Sequence, residues 1–357
     1  MKVIELGPYS GPHGGVRTNL LAIRRGLIDR GISCSTINIT RFTDAGGENV
    51  YYPRNAFEVC ALLLRLRSDV MHLHLGGMLT RRELALAALC CLVPGSKTVL
   101  TFHSGGYPYC PQGKRARRWT LRGAIFRRFD AVIAVNAALE QLFQKFGVPP
   151  ERIHPIPPYS VDAPPAGAEL PGRLEQFFEQ HSPVLLSVGQ LEPEYDVPLQ
   201  IGVLSRLRTR FPNAGLMIAG DGSLREALAQ RIRESACGQD ILLCGDLEHE
   251  ATLQAIRRAD VLLRTTLYDG DSIAVREALH FGTPVIATDN GMRPEGVHTI
   301  AVSSAGQLYA SLETVLLQPR RAYAPVEADD RHIRAVIALY RSLSSSQEAR
   351  GVARAGV

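Results

Sequence analysis

The chain has 357 residues, 45% of them hydrophobic and 21% charged, with a formal net charge of +5. It is too long for one average α/β domain and fits two domains with sizeable cores. The weak positive balance suits an anionic partner, a nucleotide diphosphate or an anionic membrane surface; it is too small to argue for nucleic acid, and no aromatic residues interleave with cations as in single-strand binders.

Met1-Lys2 leads through Val3 to Leu6 into Gly7-Pro8, which lacks the layout of an export signal. Strands are expected over Val3–Leu6, Ser33–Ile39, Val70–Leu75, Thr98–Phe102, Ala131–Val135 and Ile153–Ile156. Between them, Val16, Leu20, Ile23 and Leu27 recur at helical spacing and stop at Gly31, a C-cap residue. Further helices are expected at about 81–92 and 137–146. The apolar stretch from Leu84 ends at Pro94, about half the length a membrane span needs. A cytoplasmic location is therefore expected.

Pro155, Pro157, Pro158, Pro164, Pro165 and Pro171 break both helix and sheet and mark a linker. The alternation then restarts, with strands Val184–Val188, Gly215–Ala219, Ile241–Cys244, Val261–Leu263 and Pro284–Thr288. Helices fall near 197–210, 223–235, 249–258, 272–281 and 304–317, and a closing helix at about 331–343 precedes a frayed tail from Ser344. Strand–helix alternation implies parallel sheets covered on both faces, here two doubly wound domains. Ligands in such folds lie at the carboxyl ends of the strands.

Three loops at strand ends offer chemistry. The first, Gly7 to Arg17 with Gly14-Gly15, brings backbone close to a helix start, which is either a tight turn or an anion site; its spacing is not the dinucleotide fingerprint. The second places His103 after Thr101-Phe102, either a structural histidine or a substrate contact. His72 and His74 alternate on one strand face and read as a packed pair, no third metal ligand having fitting spacing. The third runs from Arg264 through Asp269, Gly270, Asp271, Ser272 and Ile273 to Glu277. Ser272 reads as an N-cap whose helix start suits hydroxyls or phosphate, and Glu277 can accept two hydroxyl hydrogen bonds, as a ribose diol presents them. The seven cysteines form no C-x-x-C pair and read as small reduced thiols; no metal site is expected.

The third loop resembles the E-x7-E signature of retaining GT-B glycosyltransferases of family 4, standing here as Asp269 and Glu277 and followed by Gly282-Thr283-Pro284. The resemblance extends over nearly the whole chain, through Gly14-Gly15, Asp69 to His74, Thr101 to His103, Asp130 to Asn136, Ile153 to Pro157, Val188 to Leu191 and Ala219 to Gly222. It implies two Rossmann-like domains facing a cleft: 1–165 binding acceptor and 166–330 binding a nucleotide sugar, with 331–357 packing back toward the first. It further implies that Glu277 holds the donor ribose, Asp269 sits beside the transferred sugar, and the Gly270–Ile273 backbone meets sugar or diphosphate. Gly14, Gly15 and Arg17 would close over the diphosphate and acceptor, and His103 would contact the sugar. Gly189, Gln190, Tyr195 and Gly220 would line the donor side, with Gly245 to Leu247 bordering the base. The family works without metal or cofactor, so the donor is a nucleotide-diphosphate sugar and the acceptor a glycan or lipid-linked molecule of cell-surface polysaccharide or glycolipid synthesis.

Two departures stand out. Where the family reads G-R-L-x-x-x-K-G, this chain reads Gly189-Gln190-Leu191-Glu192-Pro193-Glu194-Tyr195-Asp196, so both diphosphate-gripping cations are missing. Two charged hydrogen bonds amount to roughly 3–6 kcal/mol. Arg264 is the expected partial replacement, with Arg17 and Arg293 as other cations, and a catalytically silent partner is the alternative function. Asp269 also stands for the usual Glu. Finally, 114–128 combines seven cations with Trp119 and reads either as a solvated helix face or as a contact for an anionic membrane, which would make the protein peripheral on the inner face of the plasma membrane.

Overall fold

A computed structural model of the protein describes residues 1–11, 14–43, 47–158, 170–291, 293–318 and 330–355, the last with side chains through 345. The chain divides into two compact units, Met1–Ser160 with Asp329–Val357, and Val161–Ala328. The middle of the proline-rich linker, including Pro164 and Pro165, lies outside the described residues.

In the first unit, β1 (Lys2–Gly7), α1 (Gly15–Ile28), β2 (Ser33–Asn38), β3 (Val50–Tyr51), α2 (Ala56–Arg65), β4 (Val70–Leu75) and α3 (Arg81–Cys90) alternate in turn. Then come β5 (Lys97–Phe102), α4 (Pro111–Lys114), α5 (Leu121–Phe126), β6 (Ala131–Ala134), α6 (Ala137–Lys145) and β7 (Ile153–Pro155). The seven strands are all parallel, in the order β3-β2-β1-β4-β5-β6-β7. Central strands such as β4 are buried at every position because helices cover both faces. Thr80 and Glu83 form a capping box on α3, and Asn136 caps α6.

The second unit contains α7 (Gly172–Gln180), β8 (Val184–Val188), α8 (Val197–Leu207), β9 (Gly215–Ala219), α9 (Arg225–Glu234), β10 (Ile241–Gly245) and α10 (His249–Arg258). It continues with β11 (Val261–Arg264), α11 (Ile273–His280), β12 (Val285–Thr288), β13 (Val297–Ile300) and α12 (Ala305–Leu316). Its six-stranded parallel sheet has the order β10-β9-β8-β11-β12-β13. In both sheets the strand order reverses beside the first strand, and the strand ends there are where doubly wound folds take ligands.

The last helix, α13 (Arg331–Ala355), belongs to the first unit. Its Ile333, Val336, Ile337 and Tyr340 enter one core with Val3, Ile23, Leu27, Val70, Val99 and Ile133. The helix does not stop at 343 as expected. No proline interrupts it, and Ser344 and Ser345 bond back to the carbonyls four residues earlier.

The basic stretch 114–128 is not one helix. Short α4 and α5 interrupt it, with Thr120 capping α5, because Gly123 packs against three backbone carbonyls and Ile125 and Phe126 fill the core. Trp119 and Leu121 are left 85% and 72% exposed. Among the described residues, no helix is long and apolar enough to cross a membrane.

Candidate functional site

The second unit gathers its expected site residues at the carboxyl ends of β8, β9 and β11. Gly189 sits so close to Tyr195 that a Cβ would lie 2.2 Å from the ring, and 2.9 Å from Arg264 Nη1. Gly220 is at φ +135°, and a Cβ there would meet the Gly189 carbonyl at 1.8 Å. Only glycine fits either position. Gln190 is exposed, and Arg264 lies over the Tyr195 ring at 4.7 Å.

Arg264 ends β11 and is engaged at each nitrogen. Nε and Nη2 donate to Asp269 at 2.8 and 3.1 Å, and Nη1 donates to the Val188 carbonyl at 2.8 Å. Asp269 also accepts from Arg293 Nη1 at 2.9 Å and from the Gly270 amide at 2.8 Å. Arg293 is fixed in turn by the Thr288 carbonyl and Thr266. Burial pushes the Asp269 carboxyl up, but Arg264 and Arg293 outweigh it and hold it below its ordinary range. Asp269 is thus a clamp between two guanidinium groups.

Asp271 accepts from Arg276 Nε at 2.6 Å; burial still raises its carboxyl. Ser272 stands at the N-cap of α11, but its side chain makes no cap hydrogen bond, against expectation, which leaves the helix start open. Two guanidinium groups against Asp269, and one ion pair beside them, leave one net positive charge where this helix begins.

Glu277 differs from its neighbours. It is 2% exposed, its Oε1 has no hydrogen-bond partner, and burial alone pushes its carboxyl up to about 8. The His249 ring on α10 lies beside it, with Nε2 3.6 Å from Oε1.

In the first unit, Gly14 is the N-cap of α1 in extended conformation, with open space where a Cβ would be, and Gly15 is the first helical residue. Arg17 Nε donates to the Tyr9 carbonyl at 2.9 Å. His103 follows β5 and lies against His74, ring centroids 6.0 Å apart. Its Nε2 is sealed from solvent without a partner, and burial together with His74 brings its pKa down to about 3. It is a neutral ring.

His72 and His74 are fully buried, and the structure adds a residue the sequence pattern hides: Glu5 on neighbouring β1, in register with His72. His74 Nε2 bonds Glu5 at 2.5 Å, His72 Nδ1 meets the Tyr340 hydroxyl at 2.5 Å and His72 Nε2 meets Thr101 at 2.7 Å. Tyr340 donates to Glu5 at 2.9 Å. Glu5, His72 and His74 bring three metal-ligating atoms within 4.8 Å, so a third ligand does exist, 67 and 69 residues upstream of the histidines. The protons nonetheless balance without an ion. Thr101 donates to a neutral His72, His72 donates to Tyr340, and Tyr340 and His74 both donate to the Glu5 carboxylate.

Neither Glu5, His249 nor Tyr340 was marked by motif reading. Glu5 carried one signal, an acid inside the apolar run Val3-Ile4-Glu5-Leu6.

Two family descriptions match the chain, "Glycosyltransferase Family 4" over residues 13–159 and "Glycosyl transferases group 1" over residues 173–300. The sequence is 27% identical over 268 residues to the glycogen synthase of Mycobacterium tuberculosis, covering 72% of this chain and 62% of that protein. It is 23% identical to the alpha-D-kanosaminyltransferase of Streptomyces kanamyceticus, covering 49% and 46%. The chain thus spans about three fifths or less of the length of these curated relatives. Anabaena HepE in complex with UDP-glucose superposes with a TM-score of 0.65 at 16% identity, covering 89% of this chain and 90% of that one. WaaG, a glycosyltransferase involved in lipopolysaccharide biosynthesis, gives 0.61 at 17%, covering 88% and 90%.

Proposed function

Because the chain belongs to the group 1 glycosyltransferases of family 4 and has their GT-B fold, we propose that it moves a sugar from a nucleotide-diphosphate sugar to a glycan or lipid-linked acceptor, with retained configuration and without a bound metal. The observation that carries this reading is Glu277, a buried acid without a hydrogen-bond partner at Oε1, one turn inside the open start of α11. A ribose diol supplies hydroxyl donors to a carboxylate whose Oε1 has none. The diphosphate lies against the α11 start, from Gly270 to Ile273, drawn by the helix end and the surplus charge of Arg264 and Arg293. That charge stabilises the leaving diphosphate as it develops. Tyr195, with Gly189, Gln190 and Gly220, lines the donor side, and Asp269 sits beside the sugar as the anchor of both arginines. For the first unit taken by itself, Gly14, Gly15 and Arg17 at the start of α1 and His103 after β5 are the residues assigned to ligand contact, at the carboxyl ends of its strands.

Titration calorimetry with UDP, ADP and GDP tests this. Glu277→Gln is expected to weaken the bound nucleotide about tenfold to a hundredfold. No binding of any of the three by the unaltered chain would overturn the reading. A second reading is favoured by Gln190 and Tyr195 in place of the two cations and by Arg264 being engaged with Asp269: a silent partner that keeps the nucleotide site. Binding with no donor hydrolysis and no transfer would select it.

The exposed pair Trp119 and Leu121, beside Arg117, Arg118 and Arg122, supports a contact with an anionic membrane and hence a peripheral place at the inner face of the plasma membrane. Flotation with anionic vesicles is expected to fall on joint charge reversal of Arg117 and Arg118; unchanged flotation would dismiss the contact.

A further inference from the structure

The acid that carries the proposed site is unfinished from one side. Glu277 is sealed on α11 against β11, β12 and α10. From β11 comes Arg264, engaged with Asp269; β12, Val-Ile-Ala-Thr, brings no titratable group. Helix α10 carries His249, Glu250, Arg257 and Arg258, and the ion pair recorded to Glu277 is that of His249. His249 is the first residue of α10, directly after the loop that follows β10, and its side chain is 36% exposed. One edge of the ring therefore meets solvent while Nε2 faces the buried Oε1, a few tenths of an ångström beyond hydrogen-bond length.

We propose that His249 is a positioning residue for the donor nucleotide: its Nε2 bonds Glu277 Oε1 when the nucleotide enters, and so turns the ionised carboxylate toward the ribose hydroxyls. The inference rests on Glu277 receiving the ribose, as proposed above. A carboxylate has lone pairs enough for two hydroxyls and one ring N–H. Without that N–H, ionising an acid whose pKa stands at about 8 opposes binding at neutral pH, because burial is the sole cause of the rise. His249 acts through Glu277 and needs no contact with the nucleotide.

The test is calorimetry of UDP, ADP and GDP, each beside its 2′-deoxy form, over a pH range from about 5 to about 9 that brackets the Glu277 carboxyl. The unaltered chain is expected to prefer the ribonucleotide by about tenfold, the value of one charged hydrogen bond. In His249→Ala that preference should shrink to about threefold or less, and the pH at which affinity levels off should move upward. His249→Lys, which offers an N–H donor in place of the ring, should restore much of the preference at neutral pH; a ring that served only the fold of α10 would not be rescued so. If His249→Ala keeps both the preference and the pH profile while Glu277→Gln loses the preference, the role of His249 is overturned and the nucleotide site stands. If the unaltered chain shows no preference for the ribose diol, the role of Glu277 falls, and this inference with it.

Discussion

Glu5 and Glu277 are both sealed from solvent, one in each unit, and the chain equips them in opposite ways. Glu5 accepts from Tyr340 and His74, and the chain of hydrogen bonds runs on from Tyr340 through His72 to Thr101. Glu277 has an oxygen with no hydrogen-bond partner and a carboxyl pushed up by burial alone. A buried charge is retained at low cost only when its hydrogen bonds are met. The first acid is therefore part of the fold, and the second keeps an unmet oxygen, which is where the proposed ribose would bond. Asp269 falls between them, its demand met by two arginines that it holds beside the helix start.

Each substitution below presses on that contrast. The largest effect is expected for Glu5→Ala, which strands the donors of His74 and Tyr340 in the core. A loss of about 3–5 kcal/mol is expected from urea unfolding of the full chain, and a loss under about 1 kcal/mol would remove the contrast. Glu277→Gln should do the reverse and stabilise the empty protein by about 1–3 kcal/mol above neutral pH. The sign follows from linkage. The folded carboxyl titrates at about 8 against 4.5 unfolded, so its stabilising contribution is complete below 4.5 and is lost as pH rises through 8. Unfolding free energy should fall by up to about 1.4 kcal/mol per pH unit in that window, and the slope should vanish in the variant. Tyr340→Phe removes one donor to Glu5 and one acceptor for His72, for which about 1–2 kcal/mol is expected in the same unfolding assay. Smallest is Trp119→Ala, at the exposed end of the scale: under about 0.5 kcal/mol in stability, with any loss confined to vesicle flotation.

Most strands were legible because parallel sheets bury both faces and leave continuous apolar runs such as Val70 to Leu75 and Val184 to Val188. β3, two residues long, and β13, an edge strand reading Val-His-Thr-Ile with an exposed middle, leave no such run. α2 was readable and missed, since Asn55 caps it through the Glu58 amide. At the site, the motif pointed to Asp269 and Glu277 as a pair. Their divergence depends on Arg293, 24 residues beyond Asp269, and on burial around Glu277, neither of which is a local property. Arg264 was noted as a strand-end cation, but its engagement with Asp269 comes from the turn of the loop, not from spacing. The Glu5 network joins residues as far apart as 5 and 340, beyond any periodicity.

Tyr340 has a consequence for how the protein is made. The unit synthesised first receives α13 last, and that helix covers a sheet face on which Glu5 and two histidines lie. At the usual pace of translation, more than 160 residues of the other unit must leave the ribosome first, a delay on the order of ten seconds or more. Until α13 emerges, Val3, Val70, Val99 and Ile133 lack the helix that covers them in the folded chain. The unit that leads in this chain is completed by the segment that trails it.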